Sequence, residues 1–154
     1  MTKAVIIYCS TYKGNTKGIA SVMAKRIDAE LLDIKDARGA NLEEYNLIGF
    51  GSGVYREDIS KQLYEFVSGL SLKGKDVFIF STSGAGMKYY NNKLIKILRN
   101  MGGTVKGSFA CRGYFIAKEF TDNKIFSFVE KLSQGHPNSK DFQKAERFAE
   151  AIIK

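Results

Sequence analysis

Short, unbroken runs of apolar residues alternate along this chain with longer stretches whose apolar residues recur at helical spacing. That alternation leaves little choice of fold. The runs fall at residues 3–9, 30–34, 45–51, 76–82 and 104–111. A strand wetted on one face alternates apolar and polar residues, whereas a strand covered on both faces is apolar throughout. Between the runs lie amphipathic segments. The first carries Ile19, Val22, Met23 and Ile27. The second carries Leu63, Phe66, Val67 and Leu70 behind Ser60, a candidate helix cap. The third carries Leu94, Ile97, Leu98 and Met101 and stops at Gly102 and Gly103. A closing helix over 139–153 points Phe142, Ala145, Phe148, Ala149 and Ile152 inward. Strand–helix alternation implies right-handed crossovers and a parallel sheet with helices on both faces. The chain is therefore expected to form one α/β domain over 1–154. It should have three layers, α-β-α, around five parallel strands in the order 2-1-3-4-5. Residues 112–138 are the least regular part, with a helix expected near 124–132 and a turn at Gly135, His136, Pro137 and Asn138.

Composition removes several function classes. With 44% hydrophobic and 26% charged residues, the chain is an ordinary globular sequence. No apolar stretch has the roughly 18–20 residues of a membrane span. Met1, Thr2 and Lys3 lead straight into the first run with no small-residue cleavage site, so a cytoplasmic protein is expected. Cys9 and Cys111 lie far apart, and His136 is the only histidine. Too few ligands are present for a zinc or iron–sulfur centre, and two free thiols are expected. The net charge of +8 favours acidic partners. The basic residues are scattered and carry no nucleic-acid-binding signature, so nucleic acid is not expected as a partner.

In an open parallel sheet, ligands bind beyond the carboxyl ends of the strands. Three loops there are rich in Gly, Ser and Thr. The first comprises Ser10, Thr11, Tyr12, Lys13, Gly14, Asn15 and Thr16. The second comprises Ser52, Gly53, Val54, Tyr55, Arg56 and Glu57. The third comprises Ser83, Gly84, Ala85, Gly86, Met87, Lys88, Tyr89 and Tyr90. Hydroxyls, a turning glycine and free N–H groups at a helix start make an anion site. The plainer reading of the first loop is a polar turn with a capping Thr. Neither the Walker A pattern nor the dinucleotide fingerprint G-x-G-x-x-G follows the first strand.

The segment from Tyr8 to Thr16, with hydroxyl residues followed by Gly14, Asn15 and Thr16 at the end of the first strand, resembles the FMN-phosphate signature of the flavodoxin family. The resemblance extends over nearly the whole chain in length, strand count and loop positions. It implies a flavodoxin-like fold and FMN as cofactor, with Ser10, Thr11, Gly14, Asn15 and Thr16 on the phosphate. It also implies that loops 52–57 and 83–90 flank the isoalloxazine ring, with Tyr55 and one of Tyr89 and Tyr90 in reach of it. FMN is preferred over FAD because one phosphate loop serves one phosphate. The implied function is electron transfer, with the flavin doing the chemistry and no catalytic side chain. Redox partner proteins, acidic at the docking face, follow from the basic charge. The alternative is an FMN-dependent oxidoreductase acting on NAD(P)H with a quinone or free flavin, in which Arg56, Lys88 or Arg112 meets a phosphate or carboxylate.

The chain departs from the family pattern in four ways. Ala85 stands about where many members stack a second aromatic. Arg56 stands about where many carry a glycine whose peptide flips on reduction, and a non-glycine residue resists positive φ. The protein is basic where the family is usually acidic. Lys13 sits inside the phosphate loop, and a cation there favours the reduced anionic flavin. A reduction potential above that of an acidic flavodoxin is thus expected, and a redox titration giving an equal or lower value refutes it. A response-regulator receiver shares the strand order, but Cys9 and Gly51 stand where it needs acidic residues. Cys111 is read as a packed thiol, His136 as structural or exposed, and Glu57 and Asp58 as loop charges.

Overall fold

The computed structural model describes residues 2–10, 14–55, 57–115 and 124–154. Five parallel strands form the sheet: β1 (Ala4–Cys9), β2 (Glu30–Asp33), β3 (Leu47–Tyr55), β5 (Asp76–Ser83) and β6 (Thr104–Arg112), in the order β2-β1-β3-β5-β6. A two-residue strand, β4 (Asp58–Ile59), folds back antiparallel on the end of β3. Leaving that short strand out of the count, the order is the expected 2-1-3-4-5.

Successive residues of each strand serve opposite layers. Val5, Ile7, Ile48, Phe50, Val77 and Ile79 pack beneath α3 (Lys61–Ser68) and α4 (Asn92–Asn100) with Leu63, Val67, Leu94 and Leu98. Ala4, Ile6, Tyr8, Phe78 and Phe80 pack beneath α1 (Asn15–Ile27) and α6 (Ser139–Ile153) with Ile19, Met23, Ala145 and Ala149. The unbroken apolar runs are thus two interleaved half-cores. Gly49 and Gly51 lie in the second layer because the phenylalanine rings occupy their side-chain space. A Cβ at Gly49 would stand 2.3 Å from Phe78 Cζ, and one at Gly51 2.0 Å from Phe80 Cζ.

The remaining α-helices among the described residues are α2 (Ile34–Ala37) and α5 (Lys124–Ser133). Helix α6 starts in a capping box, in which Asn138 accepts from the Asp141 N–H and Asp141 accepts from the Asn138 N–H. His136 completes that start through Nδ1 to the Asp141 carboxylate at 2.5 Å, which makes it a structural histidine. Ser60 stands at the N-cap of α3, but its side chain makes no capping bond. Its hydroxyl instead accepts from the Cys9 thiol at 3.3 Å, a tertiary contact that displaces the expected local one. Among the described residues no helix is long and apolar enough to cross a membrane.

Candidate functional site

Four strands end along one edge, and each delivers a piece of a common site. β1 ends at Cys9, and α1 starts after Gly14, which takes the left-handed φ of 68° that glycine adopts without strain. Among the described residues no side chain caps this helix start, and its first turn holds no acidic residue. The first N–H groups of a helix have no partner within it. At the end of β1, before this helix start, the Ser10 hydroxyl oxygen is shielded from solvent and has no hydrogen-bond partner among the described residues. Uncapped N–H groups and an orphaned hydroxyl form a donor set for an anion.

Two further side chains of the first loop, those of Asn15 and Thr16, are committed elsewhere. Asn15 Nδ2 donates to the Tyr114 carbonyl at 2.9 Å, packed so tightly that a Cβ at Gly113 would stand 2.7 Å from it. The buried Thr16 hydroxyl shares a hydrogen bond of 2.9 Å with Thr82 at the end of β5. Asn15 and Thr16 therefore stitch the helix start to the β5 and β6 edges through their side chains. Thr11, Tyr12 and Lys13 lie outside the described residues.

The second wall differs from the expected loop. Ser52, Gly53, Val54 and Tyr55 continue β3, and Val54 and Tyr55 pair with Ile59 and Asp58. Glycine and serine there read as a turn, but a tight hairpin with tertiary anchors keeps them extended. Ser52 Oγ donates to the Gly53 carbonyl at 2.6 Å and accepts from the Ser60 N–H at 3.1 Å, so this hydroxyl braces the hairpin. The Tyr55 ring folds back over Gly53, its hydroxyl 2.9 Å from where a Cβ would be. Glu57 carries a positive φ of 68°. Arg56 lies outside the described residues.

The third wall follows β5. Ser83 Oγ accepts from the Gly86 N–H at 2.7 Å, and the Ser83 carbonyl accepts from the Gly113 N–H at 2.9 Å. Gly84 lies under the Phe115 ring and Val129 of α5, both within 3.0 Å of where its Cβ would be. Gly86 turns with a φ of 68° against Arg112, with Ala85 half-buried between the two glycines. In the 3₁₀ turn that follows, the Tyr89 and Tyr90 rings meet with centroids 4.4 Å apart. Tyr89 is half exposed, whereas the Tyr90 phenol is pushed up to about 12 by burial, by its hydrogen bond with Tyr89 and by the Glu57 charge.

Several contributors carry no local sequence signal. Thr82, Tyr114 and Phe115 enter only through the neighbouring strand ends, and Asp58, read as a loop charge, accepts from the Tyr64 hydroxyl at 2.6 Å. Cys9 and Cys111 are both free and buried, and burial raises the Cys111 thiol to about 12.

Residues 5–139 match the model of the flavodoxin domain, and the chain belongs to that family. A relative from Methanocaldococcus jannaschii, the uncharacterized protein MJ0298, is 34% identical and aligns over 99% of both chains. A solved flavodoxin from the domain Archaea aligns over 99% of both chains at 21% identity and a TM-score of 0.69. A flavodoxin from Fusobacterium nucleatum, solved with flavin mononucleotide bound, aligns over 86% of this chain and 95% of its own at 13% identity and a TM-score of 0.57. The structural likenesses concern the fold.

Proposed function

We propose that this chain binds FMN along the edge where its strands end and serves as an electron-transfer protein. The observation that carries the reading is the start of α1, without a side-chain cap among the described residues, together with the orphaned Ser10 hydroxyl in the loop that leads to it. A phosphate monoester provides an acceptor to both. In this reading Ser10 and the backbone around Gly14, Asn15 and Thr16 hold the phosphate, with Thr11, Tyr12 and Lys13 completing the loop. Gly53, Val54, Tyr55 and Arg56 form one wall for the ring, braced by Ser52. Ser83, Gly84, Ala85, Gly86, Tyr89 and Tyr90 form the other, where Tyr89 presents the more open ring. FMN, when bound, supplies one- and two-electron redox chemistry, and the protein supplies binding, orientation and electrostatics. The net charge of +8 suits an acidic redox partner, with association that weakens as salt rises.

The test is a fluorescence titration of the purified protein with FMN and with riboflavin, which lacks the phosphate, followed by anaerobic NADPH. Tight FMN binding, far weaker riboflavin binding and a flavin left oxidised by NADPH support the carrier. Fast bleaching by NADPH shifts the function to an FMN-dependent oxidoreductase. Failure to bind FMN refutes the reading.

A further inference from the structure

Strand β4 has only two residues, and its pairing with β3 rests on Val54–Ile59 and Tyr55–Asp58. So short an antiparallel pair is not stable in water by its backbone bonds alone. The connection also holds Glu57 at a φ of 68°, which a non-glycine residue adopts at a cost. Side chains must therefore hold the hairpin, and they converge on Asp58. Its Oδ1 accepts from the Tyr64 hydroxyl of α3 at 2.6 Å and from the Ile59 N–H at 2.9 Å. Its Oδ2 lies 3.7 Å from Lys93 Nζ of α4, and the same ammonium stands 4.6 Å from the centre of the Tyr64 ring. Tyr64 and Lys93 thus grip each other as well as Asp58. The far side of the hairpin is held independently by Ser52, the Ser60 N–H and the Cys9 thiol.

We propose that Tyr64, with Lys93, is a positioning residue that locks Asp58 and so fixes the paired residues Val54, Tyr55, Asp58 and Ile59 as a preformed wall for the flavin ring. This rests on the FMN reading above. The polar and ring partners described for these two residues are Asp58 and each other, away from the start of α1. The lock acts through Asp58 on its pairing partner Tyr55 and on the adjoining Glu57, so it governs the ring and not the phosphate.

The experiment uses Tyr64→Phe, which removes the hydroxyl and keeps the packed ring, together with Asp58→Asn and Asp58→Ala. Asparagine retains an oxygen that accepts from Tyr64 and Ile59, whereas alanine does not. In Tyr64→Phe, FMN and riboflavin affinities are expected to fall by the same factor, about tenfold, given the strength of a hydrogen bond to a charged group. The FMN-to-riboflavin ratio stays constant, and the reduction potential of the bound flavin shifts because the wall beside the ring loosens. Asp58→Asn keeps most of the affinity and Asp58→Ala loses it. Amide exchange in the flavin-free protein provides a second readout: Tyr64→Phe speeds exchange at Val54, Tyr55 and Ile59 and leaves Ile6, Phe50 and Ile79 unchanged. Wild-type protein that binds FMN beside a Tyr64→Phe variant with unaltered affinity and potential overturns the proposal. Wild-type protein that binds no flavin overturns the functional reading and the flavin half of the proposal. Unchanged exchange at the hairpin overturns the lock itself.

Discussion

Ser10→Ala is expected to move two quantities in opposite directions. In the free protein the Ser10 hydroxyl is shielded from water with no partner among the described residues. An unmet buried hydroxyl costs about 1–3 kcal/mol. Deleting it removes that cost, and alanine fills the same small volume. Chemical denaturation of the flavin-free variant should then give an unfolding free energy equal to wild type or higher, by up to about 1 kcal/mol. The phosphate loses a donor at the same time. A hydrogen bond to a charged group contributes about 1.5–3 kcal/mol, so FMN affinity should fall by roughly 10- to 100-fold. Riboflavin presents no phosphate, and its affinity should change by less than about twofold. Denaturant melts and flavin-fluorescence titrations on one preparation give all three numbers. Two results refute the reasoning. Destabilisation of the free protein by more than about 0.5 kcal/mol shows that the hydroxyl already had a partner. Equal weakening of FMN and riboflavin shows that Ser10 does not face a phosphate.

Further outcomes follow from the same geometry. Gly51→Ala places a methyl 2.0 Å from Phe80 Cζ, so overpacking of about 1–3 kcal/mol is expected in a denaturant melt. A wild-type midpoint would mean that the ring moves away freely. Glu57→Gly relieves the positive φ and should raise stability by about 0.5–1 kcal/mol, whereas a β-branched residue there should lower it, both read from thermal unfolding. The Tyr64 hydrogen bond, ahead of all other causes, holds the Asp58 carboxyl below its usual 3.8, and burial first and then Asp58 push the Tyr64 phenol above its usual 10.0. A depressed carboxyl contributes stability above its unfolded pKa and loses it as pH falls through the folded one. A raised phenol contributes below its unfolded pKa and loses it as pH rises through the folded one. The protection of the Val54 and Ile59 amides, taken relative to base-catalysed intrinsic exchange, should therefore show no step from this pair between those two values, and should fall only in stronger acid or stronger base. A step near neutrality that vanishes in Tyr64→Phe would contradict the assignment.

The layers of the fold were legible because burial on both faces writes itself into continuous apolar runs, as in residues 3–9 and 76–82. The same logic stopped short at Gly51. Glycine and serine signal a turn when read locally, yet β3 runs on through Ser52 to Tyr55 because Phe80 and Tyr55 take the space those glycines leave. Hydroxyls, Gly14 and the helix behind it mark the first loop as a candidate anion site in the sequence. The division of labour inside that loop was not legible there. Whether Asn15 and Thr16 use side chain or backbone depends on Tyr114 and Thr82, which come from strands far along the chain. Ser60 shows the same limit, since its position fits a cap while its hydroxyl serves Cys9. The lock on Asp58 was invisible for a related reason: Tyr64 belongs to an amphipathic pattern that explains its packing, and nothing in that pattern announces the hydroxyl's partner.

The most direct test of the central claim is the phosphorus-31 spectrum of FMN recorded alone and with one equivalent of the protein. A phosphate held by Ser10 and the N–H groups at the start of α1 should give a shifted, broadened resonance that no longer titrates between pH 5 and 8, because a buried donor set holds the dianion. A resonance that keeps its free position and still titrates, with FMN in the presence of excess protein, would contradict the account at its foundation.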